Sequence, residues 1–284
     1  MSQINDKIIE TVENLRSRSP LTHCITNFVT INDCANAVLA IGGSPIMANE
    51  PDEAEEMVTV VNTLLINIGT LYKSQIEAMK IASQTAAKLQ KAYVLDPVGI
   101  GVSKIRNDTT MELMKEAKPS IIRGNLSEIK TLAMLYGILD ECTQAKGVDV
   151  ADTDVINEDT LDSNVKLVES IAQKLDTTIA VSGQIDIISD GKDTYVIRNG
   201  HPMLSDITGS GCMLGCLMAS YAAVTTPIMA ATTAAAVMAI AGEVANQKVA
   251  YHKKGTGTFR SELIDALSLM DEKIINRYAN ITKN

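Results

Sequence analysis

The chain of 284 residues has no tryptophan, and aromatic side chains make up only 3% of it. A core must therefore be assembled from Ala, Ile, Val, Leu and Met, which a hydrophobic content of 46% can supply. Positive charge is also short, with 25 Lys and Arg against 34 Asp and Glu, a formal net charge of −9. Such a balance argues against a nucleic-acid partner, which needs a basic face. The five cysteines, Cys24, Cys34, Cys142, Cys212 and Cys216, form no CxxC pair. Neither a disulfide framework nor a zinc site is expected, and reduced cytoplasmic thiols fit better. GxxxxGK[ST] is absent and no GxGxxG follows an early strand, which excludes a P-loop enzyme and disfavours a dinucleotide dehydrogenase. Histidine is limited to His23, His201 and His252, and nothing in the spacing recommends one as the partner of a catalytic cysteine. Residues 1–19 mix acids with bases, lack the apolar core of a signal peptide, and read as an amphipathic surface helix.

Charge is missing altogether between Asp206 and Glu243, a span longer than the ~20 residues of a membrane-crossing helix. Its Ala, Gly and Thr content and the break at Pro227 predict instead two helices buried in a domain or a subunit interface.

The rest of the chain alternates apolar runs with amphipathic stretches. Residues 20–30 mix polar and apolar side chains and read as turn-like. A helix over 32–41 stops at Gly42-Gly43, and a short strand is expected over 44–48. Leu64-Leu-Ile-Asn-Ile-Gly69 and Tyr93-Val-Leu-Asp-Pro-Val-Gly99 read as strands buried on both faces. Helices are expected over 72–91, 107–117, 126–136 and 159–175, with strands over 120–125 and 178–182. Residues 140–153 read as a polar excursion. Two runs split by Asp190-Gly191 form a hairpin, and three helical stretches close the chain. The alternation predicts one domain spanning residues 1–284, a doubly wound α/β fold with a mostly parallel sheet and an antiparallel edge.

In such a sheet, ligands gather at the carboxyl ends of the strands. Asp96, Asn125, Glu128 and Ser182 fall there, with the turn Asp206-Ile-Thr-Gly-Ser-Gly-Cys212. A Gly-rich turn opening a helix leaves backbone N–H groups for an anion, and a thiol in the first helical turn tends toward a lowered pKa. Asp96 and Glu128 are candidates for Mg²⁺, directly or through water, although each also fits a helix cap or a solvated acid. Arg123 suits a phosphate or carboxylate through its planar fork. Together these groups point to phosphoryl transfer.

Thr208-Gly-Ser-Gly-Cys212 resembles the C-terminal signature of the ribokinase-like small-molecule kinases, in which the last position is usually Asp. Cysteine there resembles the hydroxyethylthiazole kinase family. The same family is matched by His23-Cys-Ile-Thr-Asn-Phe-Val-Thr-Ile-Asn32, Gly42-Gly-Ser-Pro-Ile-Met-Ala48, Leu95-Asp-Pro-Val-Gly99 and Ile121-Ile-Arg-Gly-Asn-Leu-Ser-Glu128. The resemblance implies a three-layer ribokinase-like fold and transfer of the ATP γ-phosphate to the alcohol of 4-methyl-5-(2-hydroxyethyl)thiazole. It implies that Met47 and Gly209 contact the thiazole with Asn27 nearby, that Arg123 and Ser182 contact ATP beside Asn125, and that Asp96 and Glu128 hold Mg²⁺. It further implies a homotrimer with active sites between subunits. Two departures stand out, Ser182 where Thr is common and Gly-Ser-Gly where Gly-Ala-Gly is usual. Cys212 in place of Asp predicts a slow kinase in which a partly ionised thiol assists rather than controls. A hydroxymethylpyrimidine-type kinase and an ATP-dependent NAD(P)H-hydrate dehydratase share the fold, but Cys212 counts against both.

Overall fold

The computed structural model describes residues 3–139 and 155–284, so the excursion expected over 140–153 lies outside the described residues. Its centre is a nine-stranded sheet in the order β2-β1-β3-β4-β5-β6-β7-β8-β9. The strands are β1 (Leu21–Ile25), β2 (Ser44–Ile46), β3 (Thr63–Asn67), β4 (Tyr93–Asp96), β5 (Ile121–Asn125), β6 (Thr178–Ser182), β7 (Asp186–Ser189), β8 (Thr194–Ile197) and β9 (Ile281–Lys283). Pairing is parallel from β2 through β6 and antiparallel among β6, β7, β8 and β9. The helices are α1 (Gln3–Arg18), α2 (Ile31–Ile41), α3 (Pro51–Val60), α4 (Lys73–Lys88), α5 (Lys104–Glu116), α6 (Leu126–Leu135), α7 (Leu161–Leu175), α8 (Ser210–Ala222), α9 (Pro227–Tyr251), α10 (Thr256–Ser268) and α11 (Glu272–Tyr278).

Successive strand residues point to opposite faces, and both faces are covered. Leu65, Val94, Ile121 and Ala180 pack into the core under α1, α2, α8, α9 and α10. Leu64, Ile66 and Leu95 meet α3, α4 and α5, while Ile122, Ile179 and Val181 meet α6 and α7. The result is the expected three-layer arrangement. α2 ends where Gly42 turns left-handed at φ 98° and its N–H caps Leu39 O, a conformation glycine adopts freely.

The uncharged span folds as α8 and α9, with Pro227 at the first turn of α9, a position where its missing N–H costs nothing. α9 is long and apolar enough to cross a membrane by length and composition, but 89% of its apolar window is buried inside the fold.

Two expectations need correction. The turn-like stretch after residue 20 is β1, a strand paired with β2 on one side and β3 on the other. Its polar members bond at a distance, Thr22 Oγ1 with Ser220 Oγ at 3.0 Å and His23 Nε2 with the Ala48 carbonyl at 2.7 Å, while the buried His23 Nδ1 has no partner among the described residues. The chain also closes with four helices rather than three, and then returns to the sheet as β9.

Candidate active site

Register places the polar strand ends side by side. Asn67 pairs with Asp96 across β3 and β4, and Asn125 pairs with Ser182 across β5 and β6. Asn67, Asp96, Arg123 and Ser182 each lie two residues beyond a side chain of the core beneath α8, namely Leu65, Val94, Ile121 and Ala180. By the same alternation they face α8. That helix sits close to the strands, since a Cβ on Gly215 would meet Leu65 Cδ1 at 3.2 Å and Asp96 Oδ2 at 3.4 Å.

The turn before α8 takes the shape its glycines allow. Gly209 has φ +89°, and a Cβ there would come within 2.6 Å of Thr30 Cγ2. A Cβ on Gly211 would stand 2.6 Å from Arg123 Nη2 and 2.7 Å from Nη1. The guanidinium therefore lies directly on the first turn of α8. Met213 N–H closes onto Gly209 O at 2.8 Å, and helix geometry leaves the N–H groups ahead of it without intrahelical acceptors. A guanidinium and a helix N-terminus thus converge on one spot.

Arg123 is held loosely for a nearly buried cation. Its Nη1 stands 3.4 Å from each Asp96 carboxylate oxygen, its Nη2 donates to Ser182 Oγ at 2.6 Å, and its Nε has no partner among the described residues. Burial pushes the Asp96 carboxyl up to about 6, Arg123 pulls it down, and Glu128 raises it further. The donors of Arg123 are not exhausted by protein, so an anion can still be taken.

A cleft of about 1260 Å³ opens over this half of the site. Arg123, Asn125, Ser182, Ser210 and Gly211 line it. Asp186, which sequence reading did not single out, lines it as well and accepts a hydrogen bond from Gly183 N–H at 2.9 Å. The Asn125 side-chain Oδ1 is engaged as the N-cap of α6, accepting from Glu128 N–H at 2.8 Å. Glu128 completes the capping box by accepting from Asn125 N–H at 2.8 Å, and its other oxygen accepts from Gly99 N–H at 2.8 Å.

The acceptor-side candidates lie outside that cleft. Cys212 Sγ accepts from Asn27 Nδ2 at 3.2 Å, and Met47, just past β2, packs half-buried against the same core. Burial pushes the Cys212 thiol up, helped by the charges of Asp96 and Cys34 and opposed by hydrogen bonds from Thr30 and Asn27. The expected lowering is thus reversed, because desolvation outweighs the helix end. His23 is committed to Ala48 O, so no Cys–His pair forms with it. A second unpredicted residue, Asn67, joins the two halves. It accepts from Asn27 Nδ2 at 3.1 Å and donates to Asp96 Oδ2 at 2.7 Å. Its one signal in the sequence is an amide at the end of an otherwise apolar run.

Among the described residues no three His, Cys, Asp or Glu side chains converge as a metal cage. The Asp96 and Glu128 carboxylates each keep unused lone pairs beside Arg123. This donor set fits a hard cation that arrives with phosphate oxygens and water as most of its ligands.

The model of the Hydroxyethylthiazole kinase family matches residues 12–273. The chain is 59% identical to Hydroxyethylthiazole kinase 1 of Methanosphaera stadtmanae, over 98% of either chain. It is 50% identical to the Hydroxyethylthiazole kinase of Methanobrevibacter smithii, over 97% of this chain and 96% of the relative. A solved hydroxyethylthiazole kinase structure from Pyrococcus horikoshii OT3 superposes with a TM-score of 0.86 at 35% identity, over 98% and 99% of the two chains.

Proposed function

This chain belongs to the hydroxyethylthiazole kinase family, and from that premise we infer how its residues carry ATP-dependent phosphorylation of 4-methyl-5-(2-hydroxyethyl)thiazole, a step of thiazole salvage for thiamine diphosphate. The observation that carries the assignment is the Arg123 guanidinium lying on Gly211 at the start of α8, with Cys212 next in the chain. Positive charge and free N–H groups meet where a γ-phosphoryl group would have to sit, one residue from a thiol able to face a hydroxyl.

In this reading ATP occupies the cleft, with its phosphates on Arg123, Ser182 and the α8 N-terminus and with Asn125 beside them. Charge on the transferring group is stabilised by the guanidinium and by backbone N–H groups already oriented for it. Asp96 and Glu128 would hold Mg²⁺, and the ion would supply positive charge to neutralise the phosphates. The thiazole lies against Met47, Gly209 and Asn27, which brings its hydroxyl to Cys212. Cys212 accepts or orients the hydroxyl proton, a modest task in a loose transition state where alignment dominates.

We also place the functional unit as a homotrimer of single-domain subunits in the cytoplasm. Phe28 and Val29, next to Asn27, are 70% and 56% exposed, so the acceptor half presents apolar surface suited to a neighbouring subunit. Cys24, Cys34, Cys212 and Cys216 are free thiols, in keeping with a reducing compartment. The test is ADP release from Mg-ATP with hydroxyethylthiazole, with hydroxymethylpyrimidine, and with buffer alone. Release with the thiazole only is expected; release with the pyrimidine only would move the chain to the other kinase class.

A further inference from the structure

We propose that Asn67 is a positioning residue that orients the Asn27 amide toward Cys212 and the carboxylate of Asp96 toward the nucleotide side; this rests on the kinase reading above. Asn67 is fully buried. Its Oδ1 accepts from Gly69 N–H at 2.9 Å and from Asn27 Nδ2 at 3.1 Å, and its Nδ2 donates to Asp96 Oδ2 at 2.7 Å. Asn27 Oδ1 accepts from Thr30 N–H at 3.2 Å and Thr30 Oγ1 at 3.0 Å, and its Nδ2 also reaches Cys212 Sγ.

The direction of this chain of bonds is not arbitrary. An amide side chain can be flipped on paper, but a backbone N–H can only donate. Gly69 N–H therefore assigns the oxygen of Asn67, and Thr30 N–H assigns the oxygen of Asn27. Each amide nitrogen must then face outward, one to Cys212 and one to Asp96. Both outer groups receive N–H donors, which favour their anionic forms against the burial that opposes them. Gly69 makes the meeting possible, since a Cβ there would stand 2.8 Å from Asn27 Nδ2 and 2.9 Å from Asn67 Oδ1. Flipping Asn67 would set its NH₂ against Gly69 N–H and Asn27 NH₂, and leave its oxygen against the Asp96 carboxylate. The native orientation is over-determined, and Cys212 and Asp96 inherit it.

Asn67→Asp is nearly isosteric, keeps the acceptor for Gly69 and Asn27, and replaces only the donor to Asp96. Asn67→Ser removes the acceptor that holds Asn27. The first measurement is the rate of iodoacetamide alkylation at Cys212 against pH, read by peptide mass without substrate. The groups facing Cys212 are Asn27, Thr30, Asp96, Cys34 and Arg123. Of these, the variants directly disturb the contacts of Asn27 and Asp96. The alkylation midpoint is expected to rise by about one pH unit in Asn67→Asp, from the added carboxyl, and in Asn67→Ser, from loss of the Asn27 donor. The second measurement is turnover, where kcat falls about 10-fold or more while KM for the thiazole stays within about 3-fold. Melting temperatures within a few degrees of the parent separate these effects from unfolding. Because the added carboxyl of Asn67→Asp shifts the midpoint by charge alone, Asn67→Ser decides, and an unchanged midpoint in that variant overturns the proposal. A parent enzyme that releases no ADP with the thiazole overturns the kinase reading instead, and the alkylation result still decides the role of Asn67.

Discussion

The two halves of the site are built from different materials. On the side we assign to the nucleotide, Arg123 and Asp186 line a deep cleft next to a helix N-terminus, and the buried Asp96 carboxylate pairs with the guanidinium. On the side we assign to the acceptor, Asn27, Thr30, Met47 and Cys212 offer neutral amide, hydroxyl and sulfur groups beside exposed Phe28 and Val29. A polyphosphate must be matched by preorganised charge, which is worth most when desolvated. A small neutral thiazole is selected by shape and a few hydrogen bonds. The turn at Gly209–Cys212 belongs to both halves, so variants on either flank should separate binding of ATP from use of the acceptor.

The largest effect is expected from the charged half. Arg123→Ala removes the guanidinium from the α8 N-terminus and strands Asp96 without its cation. Steady-state kinetics should show kcat/KM for ATP lowered about 10³-fold, the size seen when a transition-state charge clamp is deleted. Arg123→Lys should recover little, because a single ammonium cannot span both Asp96 and Ser182. Retention of near-parental kcat/KM in Arg123→Ala would break the contrast between the halves.

Cys212 comes next. Its raised thiol is mostly protonated at neutral pH, so the parental rate should climb as pH rises toward the thiol's pKa. Cys212→Ser should lower kcat about 10-fold, less than the roughly 10²- to 10⁴-fold of a full general base, and abolish that climb. Cys212→Asp should stay active with its rate already level near pH 7. A serine variant as fast as the parent would remove the base role, and an inactive aspartate variant would remove the analogy of roles.

Gly211→Ala should act on the nucleotide side alone. Its new methyl would press on the Arg123 guanidinium, so KM for ATP should rise roughly 3- to 10-fold while KM for the thiazole changes little. Comparing it with Gly209→Ala sharpens the boundary. The latter must hold a left-handed φ against Thr30 and should cost about 1–3 kcal/mol of stability by denaturant titration.

What was legible in the sequence follows the same physics. Strands buried on both faces write uninterrupted apolar runs, so β3, β4, β5 and β6 could be placed by inspection, and with them Asp96, Arg123 and Ser182. The strand β1 was not legible because Thr22 and His23 break the run, and the groups they bond, Ser220 and Ala48, are remote in sequence. Asn67 was missed for a related reason, since its partners Asn27 and Asp96 lie 40 and 29 residues away. Glu128 could be picked out as an acid at a strand end, but that both its oxygens accept backbone N–H groups emerges only once β4 and α6 are side by side. The fall of a thiol's pKa at a helix N-terminus is a local rule, and the burial of Cys212, with the charges of Asp96 and Cys34 acting on it, is a tertiary fact that overrode it.

The smallest effect is one of stability, and it again lies on the charged side. Burial pushes the Asp186 carboxyl from its ordinary 3.8 up to about 7, and neither Gly183 N–H nor nearby Arg123 restores it. Between those values the folded chain binds a proton that the unfolded chain has released, so stability falls as pH rises across that window. The buried Asp96, raised to about 6, acts in the same direction, so the two slopes add. Asp186→Asn keeps an oxygen for Gly183 N–H and removes the titration. Thermal melts at pH 5, 6, 7 and 8 should show the parent losing about 2–4 °C for each kcal/mol withdrawn, and the variant losing distinctly less. The residual fall in Asp186→Asn is then that of Asp96, offset by the opposite slope of His23, whose imidazole burial pushes down, and it should flatten when Mg-ATP is present, because the bound state favours the ionised carboxylate. Parallel melting curves for parent and variant would show that Asp186 is solvated and that the cleft is less dry than its walls suggest.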